Sequence, residues 1–203
     1  LGGGTGTLGQ LLKKKANHYY ALDLSYDMCT VAQKKGISQL CADARKIPIK
    51  RKFDLIIFLY DGINYLKTFE EYQQTFIEIN RILEKGGIFL FDVTTMYNSE
   101  ENFFDIIDFE DFEYMAYARR SYFDPHNKYQ YNDFTFFIRQ PNNLYIKTTE
   151  HHCQKVYPVA DIKNTIPKDL FIIDGIYDGY SRRKYSRESE RVHFLLRKRS
   201  HSL

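Results

Sequence analysis

The feature that most restricts this chain is its opening, LGGGTGTLGQLL at residues 1–12. Five of the first nine residues are glycine, and an apolar helical pattern follows at once. Glycine that dense forms either a flexible linker or a turn that brings backbone close to something. A linker does not feed directly into a strand–helix–strand series, and this segment does. A glycine-rich turn that opens a helix aims backbone N–H groups and the positive end of the helix dipole at a ligand. Two spacings are superimposed here. Gly4, Gly6 and Gly9 make GxGxxG, and Asp23 follows about 20 residues on, as a dinucleotide site requires. Gly2, Gly4 and Gly6 make GxGxG. The glycines alone leave both readings open.

Residues 1 to 95 alternate between helical and extended patterns. Leu8, Leu11 and Leu12 begin a helix that runs out through Lys13 to Lys15. HYYALDLS (18–25) reads as a short buried strand, MCTVAQKKG (28–36) as a helix stopped by Gly36, and ISQLCADA (37–44) as a second strand. FDLIIFLY (53–60) is a nearly unbroken apolar run, as a strand covered on both faces requires. Phe69, Tyr72, Phe76, Ile79 and Leu83 recur at helical spacing, Gly86 and Gly87 are expected to end that helix, and IFLFDV (88–93) is a further strand. Such repetition means a parallel α/β sheet. Residues 96 to 157 follow another rule: strands at 112–123, 129–139 and 144–157, joined by turn-forming DPHNK and QPNN, predict a small antiparallel sheet inserted into the α/β domain. The chain then returns to a short helix near 158–165 and strands at 170–177 and 191–199.

Taken in order, GGGTGTLGQLL, ALDLSYDMCTVAQKKG, CADARKIP, FDLIIFLYDGINYL and INRILEKGGIFLFDV resemble the successive motifs of a class I S-adenosylmethionine-dependent methyltransferase. The resemblance spans almost the whole chain, and the subgroup it resembles most is the small-molecule type with a β-sheet lid. It implies a doubly wound, mostly parallel seven-stranded Rossmann-like sheet with an inserted antiparallel β-sheet lid. The cofactor-binding domain would be residues 1–95 and 158–203, and the lid residues 96–157. Gly2, Gly4 and Gly6 would turn under the methionine part of S-adenosylmethionine. Asp23, with Leu24 beside it, would take both ribose hydroxyls, a task suited to an acceptor-only carboxylate. Met28 would pack on the adenine edge, Asp43 and the Ala44 N–H would address the adenine ring, and Leu59 and Tyr60 would sit beside the sulfonium. The family carries an acidic residue two positions before the first glycine, at the end of a first strand. That position precedes Leu1, so the chain is expected to extend upstream by a strand and a helix.

Each of these residues also has a plainer reading. Asp23 can cap a helix, and Asp43 can be a turn residue before RKIP. In YDGINYL (60–66), Asp61 or Asn64 would orient a nucleophile or simply form a turn. EHHCQ (150–154) invites a metal, but on a strand His151 and Cys153 face one way and Glu150 and His152 the other, so no metal site is expected. His151 is the candidate base on the lid. SRRKYSRESER (181–191) is a basic run of the kind that usually lies solvated.

The bulk numbers exclude little. A net charge of +3 does not argue for nucleic acid or a membrane surface, and no apolar run reaches bilayer length. Three scattered cysteines without a CxxC pair fit reduced thiols and a cytoplasmic location. Aromatic residues make up 16% of the chain with no Trp, and most lie in its second half, where some are expected to wall a substrate pocket. The expected function is methyl transfer from S-adenosylmethionine to a small or medium-sized acceptor, without an evident triad or metal set. The rival readings are an NAD-dependent oxidoreductase, from GxGxxG, and a non-catalytic cofactor- or RNA-binding module using the basic run.

Overall fold

The computed structural model describes residues 1–200. Helix α1 (Thr7–Leu12) starts at Gly6, which is left-handed at φ 78°. The next three helices begin where a hydroxyl accepts a free N–H of the first turn. Ser25 accepts from the Met28 N–H at 3.3 Å to start α2 (Tyr26–Lys34). Thr68 accepts from Glu71 at 3.3 Å to start α3 (Phe69–Ile82), and Thr95 from Asn98 at 3.1 Å to start α4 (Met96–Asn102). A last helix, α5 (Val159–Thr165), follows Pro158. None of the helices among the described residues is long and apolar enough to cross a membrane.

The strands are β1 (Ala21–Asp23), β2 (Gln39–Cys41), β3 (Phe53–Phe58), β4 (Leu83–Thr94), β5 (Asp105–Asp111), β6 (Met115–Asp124), β7 (Tyr129–Arg139), β8 (Tyr145–Lys155), β9 (Phe171–Asp178) and β10 (Arg191–Lys198). They form three sheets: the pair β1–β2, a four-stranded sheet in the order β3-β4-β10-β9, and a four-stranded sheet in the order β5-β6-β7-β8. The α/β character is as expected; the seven-stranded, mostly parallel sheet is not what the described residues form. β1–β2 and β3–β4 are parallel, but β10 is antiparallel to both β4 and β9. β9 reaches β10 through residues 179–190 without a helix, and a connection of that kind returns the chain antiparallel. The sheets also stay separate. Between β1 and β3 lies a slot of about 450 Å³ lined by Tyr20, Leu22, Ile47, Leu55 and Ile57, among others. Residues 1–3 bridge its end: the Leu1 nitrogen donates to Ile57 O at 2.8 Å and the Gly3 N–H to Leu22 O at 3.0 Å.

Other boundaries moved for local reasons. α3 ends at Ile82 and β4 starts directly at Leu83, so Gly86 and Gly87 do not stop the helix. They fall where the β3–β4 register jumps, Phe53 facing Leu83 and Leu55 facing Ile88, and Gly86 takes the positive φ (74°) of that irregularity. β5 and α4 were not expected; β5 carries four carboxylates and so lacks a strong apolar strand signal.

The core lies between α3 and the β3-β4-β10-β9 sheet. The Phe91 ring stacks on Phe194 of the neighbouring strand at 4.7 Å and on Phe89 at 5.0 Å, while Phe76 from α3 closes to 5.8 Å. All four are fully buried. Because the rings pack on one another, truncating one leaves a cavity its neighbours cannot fill. Phe91→Ala is therefore expected to cost about 3–5 kcal/mol, read from urea unfolding with an unchanged m-value.

Candidate active site

The opening glycines form a turn at the carboxyl ends of β1 and β3. Gly2, Gly4 and Gly6 all have positive φ (59°, 53° and 78°), so the alternate spacing is a backbone requirement. A side chain on Gly4 would meet nothing within 4 Å: the turn faces open space there. Gly4 donates its N–H to Asp23 Oδ2 at 2.8 Å, and Ser25 donates to Asp23 Oδ1 at 2.9 Å. Each carboxylate oxygen accepts one backbone N–H and keeps a further lone-pair direction. The capping role open to Asp23 belongs to Ser25. Leu24 and Met28 stand exposed next to it.

At the end of β3, beyond Leu59, Tyr60 and Asp61 are both left-handed (φ 61° and 54°), a costly conformation for residues with a Cβ. One carboxylate holds them there. Asp92, on β4 and fully buried, accepts the Tyr60 N–H at 3.1 Å and the Asp61 N–H at 2.9 Å. Arg191 from β10 pairs with Asp92 at 2.9 Å and also with the Asp61 carboxylate. The result leaves the Tyr60 side chain 69% exposed. Behind this cluster, His193 is buried with its Nε2 3.7 Å from Asp92 and neither ring nitrogen hydrogen-bonded.

The other candidates have definite partners. Asp43 accepts the Arg45 N–H at 2.8 Å and pairs with the Arg45 guanidinium, which holds its carboxyl below the usual range; Ala44 packs against the core edge. This is the turn geometry its sequence context allowed. Asn64 is fully buried and its amide is spent, donating to Lys155 O at 2.9 Å and accepting the Thr94 N–H at 3.2 Å. It staples β8 to β4. Asp61 is committed to Arg191.

The β5–β8 sheet meets this region along the loop 61–67. Gln154 donates to Asp61 O at 3.3 Å and Tyr157 to Lys67 O at 2.8 Å. Strand alternation then assigns the faces. Gln154, His152 and Glu150 of β8 share the face of Phe134 and Phe136 of β7 and Tyr117 and Arg119 of β6. His152 accordingly meets Tyr65 Oη at 2.8 Å. His151 lies on the opposite face, on Asp133 and beside the Tyr131 ring. The histidine turned to the loop is His152, one residue from the one singled out in sequence.

The chain is similar to known methyltransferases. A methyltransferase domain model matches residues 1–91. A Geobacillus sp. protein bearing a methyltransferase name is 29% identical over 98% of this chain and 83% of its own length. The crystal structure of an S-adenosylmethionine-dependent methyltransferase from Clostridium acetobutylicum superposes with a TM-score of 0.86 at 27% identity, over 97% of this chain and 81% of that one. These likenesses support a class I S-adenosylmethionine-dependent methyltransferase. The sugar N-methyltransferase KedS8 of Streptoalloteichus sp. shares the fold of the enzyme, with a TM-score of 0.75 at 18% identity over 98% of this chain and 78% of that one.

Asp92, Arg191, Tyr65, His152 and Glu150 were not singled out in sequence. The acid in FLFDV was a usable signal, since a carboxylate closing an apolar strand is buried only when something needs it. In the methyltransferase, Asp92→Ala strands two N–H groups and the Arg191 charge, and a loss of about 3–5 kcal/mol is expected on urea unfolding. His193 supplies a pH test. Burial pushes its imidazole below the ordinary 6.5, with Asp92 pulling in the opposite direction. As pH falls the unfolded chain takes the proton first, so the contribution of the neutral ring is complete above pH 6.5 and is lost from there down through the lowered folded value. His193→Gln should flatten the decline of stability below that pH.

Proposed function

We propose that the glycine turn, Asp23 and the exposed turn at 60–61 hold S-adenosylmethionine, and that the β5–β8 sheet closes over it as a lid. The observation that carries this is the Gly4–Asp23 hydrogen bond. It fixes a carboxylate with free acceptor directions against a turn whose open side no side chain fills. In this reading Gly2, Gly4 and Gly6 pass under the methionine part and Asp23 takes the ribose hydroxyls. Leu24, Met28, Asp43 and Ala44 border the adenine, and Leu59 and Tyr60 flank the sulfur. Residues 1–95 and 158–203 make the cofactor-binding domain, 201–203 lying outside the described residues, and 96–157 the lid.

The acceptor is a small molecule presenting an N–H or O–H nucleophile, of the kind a sugar N-methyltransferase of the same fold handles. The inner lid face supports this, with Tyr117, Phe134 and Phe136 as apolar walls and the Arg119–Asp108 pair at 2.9 Å as a polar group among them. When bound, S-adenosylmethionine supplies an already activated methyl carbon. The chain therefore needs chiefly to align acceptor and donor, exclude water and receive a proton.

Calorimetry with S-adenosylhomocysteine and NAD side by side tests the reading. The homocysteine derivative should bind and NAD should not. Asp23→Ala removes charge-assisted hydrogen bonds worth about 1.5–3 kcal/mol each, so affinity should fall well over tenfold in a chain that still folds. Unchanged affinity would refute the site.

A further inference from the structure

The lid and the cofactor-binding domain meet in a chain of three side chains that neither the family likeness nor the sequence assigns. Glu150 Oε2 lies 3.1 Å from His152 Nε2, and His152 Nδ1 lies 2.8 Å from Tyr65 Oη. A carboxylate only accepts, so it fixes the neutral imidazole with its proton on Nε2. Nδ1 then carries the lone pair, and Tyr65 donates its O–H to it. We propose that Tyr65, backed by His152 and Glu150, is the catalytic group that receives the acceptor's proton. This rests on the methyltransferase site proposed above and deepens it: the acceptor must carry a proton on its nucleophilic nitrogen or oxygen.

The balance is simple. When the acceptor lone pair forms its bond to the methyl carbon, the carbon–sulfur pair stays on sulfur and the acceptor holds one proton in excess. That proton passes to Tyr65 Oη while the phenol's own proton passes to His152 Nδ1. The imidazolium so formed lies against the Glu150 carboxylate, and its partly exposed ring returns the proton to water.

Three observations besides the hydrogen bonds support the assignment. Tyr65 belongs to the loop that leaves β3 beside Tyr60 and Asp61. Partial burial, reinforced by the Asp61 and Glu150 carboxylates, pushes its phenol up to about 12, so it is protonated at rest, although 45% of the residue stays exposed. The Phe134 ring meets His152 edge-on at 5.6 Å and fixes the ring plane. The charged and titratable groups that surround the pair are Glu150 and Cys153 from β8, Asp61 and Lys67 from the loop, and Asp23 from β1.

Two readouts on the full chain test the relay. With S-adenosylhomocysteine bound, nitrogen-15 NMR should show His152 as the Nε2–H tautomer, with an Nδ1 resonance that moves in Tyr65→Phe and a tautomer no longer fixed in Glu150→Gln. Transfer of tritiated methyl to a set of amino sugars, primary amines and phenols supplies the rates. Tyr65→Phe and His152→Gln should each lower kcat about 100-fold or more and remove the acidic limb of its pH profile, while S-adenosylhomocysteine affinity stays within about twofold. Near-wild-type turnover in either variant overturns the relay, as does an Nδ1–H tautomer in the wild type. Loss of cofactor affinity in step with turnover also overturns it, making the pair a binding element. If S-adenosylhomocysteine binds and the wild type methylates nothing in the set, the acceptor class fails, and the relay is decided by the tautomer alone.

Discussion

The methyltransferase turns on one buried carboxylate. Asp92 closes β4 with no exposure to water, and on its own it would be a heavy cost in the core. Its oxygens instead accept two consecutive backbone N–H groups and the Arg191 guanidinium. Those bonds offset the strain of two successive left-handed residues, each of which costs about 1–3 kcal/mol. The direction in which the chain leaves β3 follows from this. With Tyr60 and Asp61 in any ordinary conformation the loop would depart elsewhere, and Asn64, Tyr65 and Lys67 would not meet β8.

A second carboxylate, Asp23, plays the corresponding part on the other side of the cleft. It ties the glycine turn to the end of β1, while Leu1 and Gly3 reach to β3 and β1 in turn. Both sides thus use the same device, a carboxylate gripping backbone N–H groups at the carboxyl end of a strand. They differ in what remains. Asp92 is saturated by protein and serves as a fixed anchor; Asp23 is half-buried and keeps acceptor capacity.

These facts explain what the sequence revealed and what it hid. The glycine spacing was legible because positive φ at alternate residues leaves few other choices, and the apolar periods of β3, α3 and β10 follow from burial. Strand alternation separated His151 from His152 correctly, but it says which residues share a face and not which face turns inward. That is decided by Asn64 and Gln154, which join the end of β8 to a loop far away in sequence. Arg191 was hidden in a basic run whose other members stay near water, since its inward turn depends on an acid a hundred residues earlier. The split of the sheet was hidden too, because strand patterns report burial and not which edges pair.

The position of the proton relay across two units has a consequence for how the site works. Tyr65 belongs to the loop that follows β3 and His152 and Glu150 to β8, so neither element holds the whole proposed relay by itself. A phenol raised to about 12 is a poor base until an imidazole stands behind it. In the proposed relay, the contact of β8 with the loop is what completes the group that receives the proton. The staples that hold β8 on the loop, Asn64 to Lys155 and Tyr157 to Lys67, are then as much a condition of the chemistry as the residues that touch the acceptor.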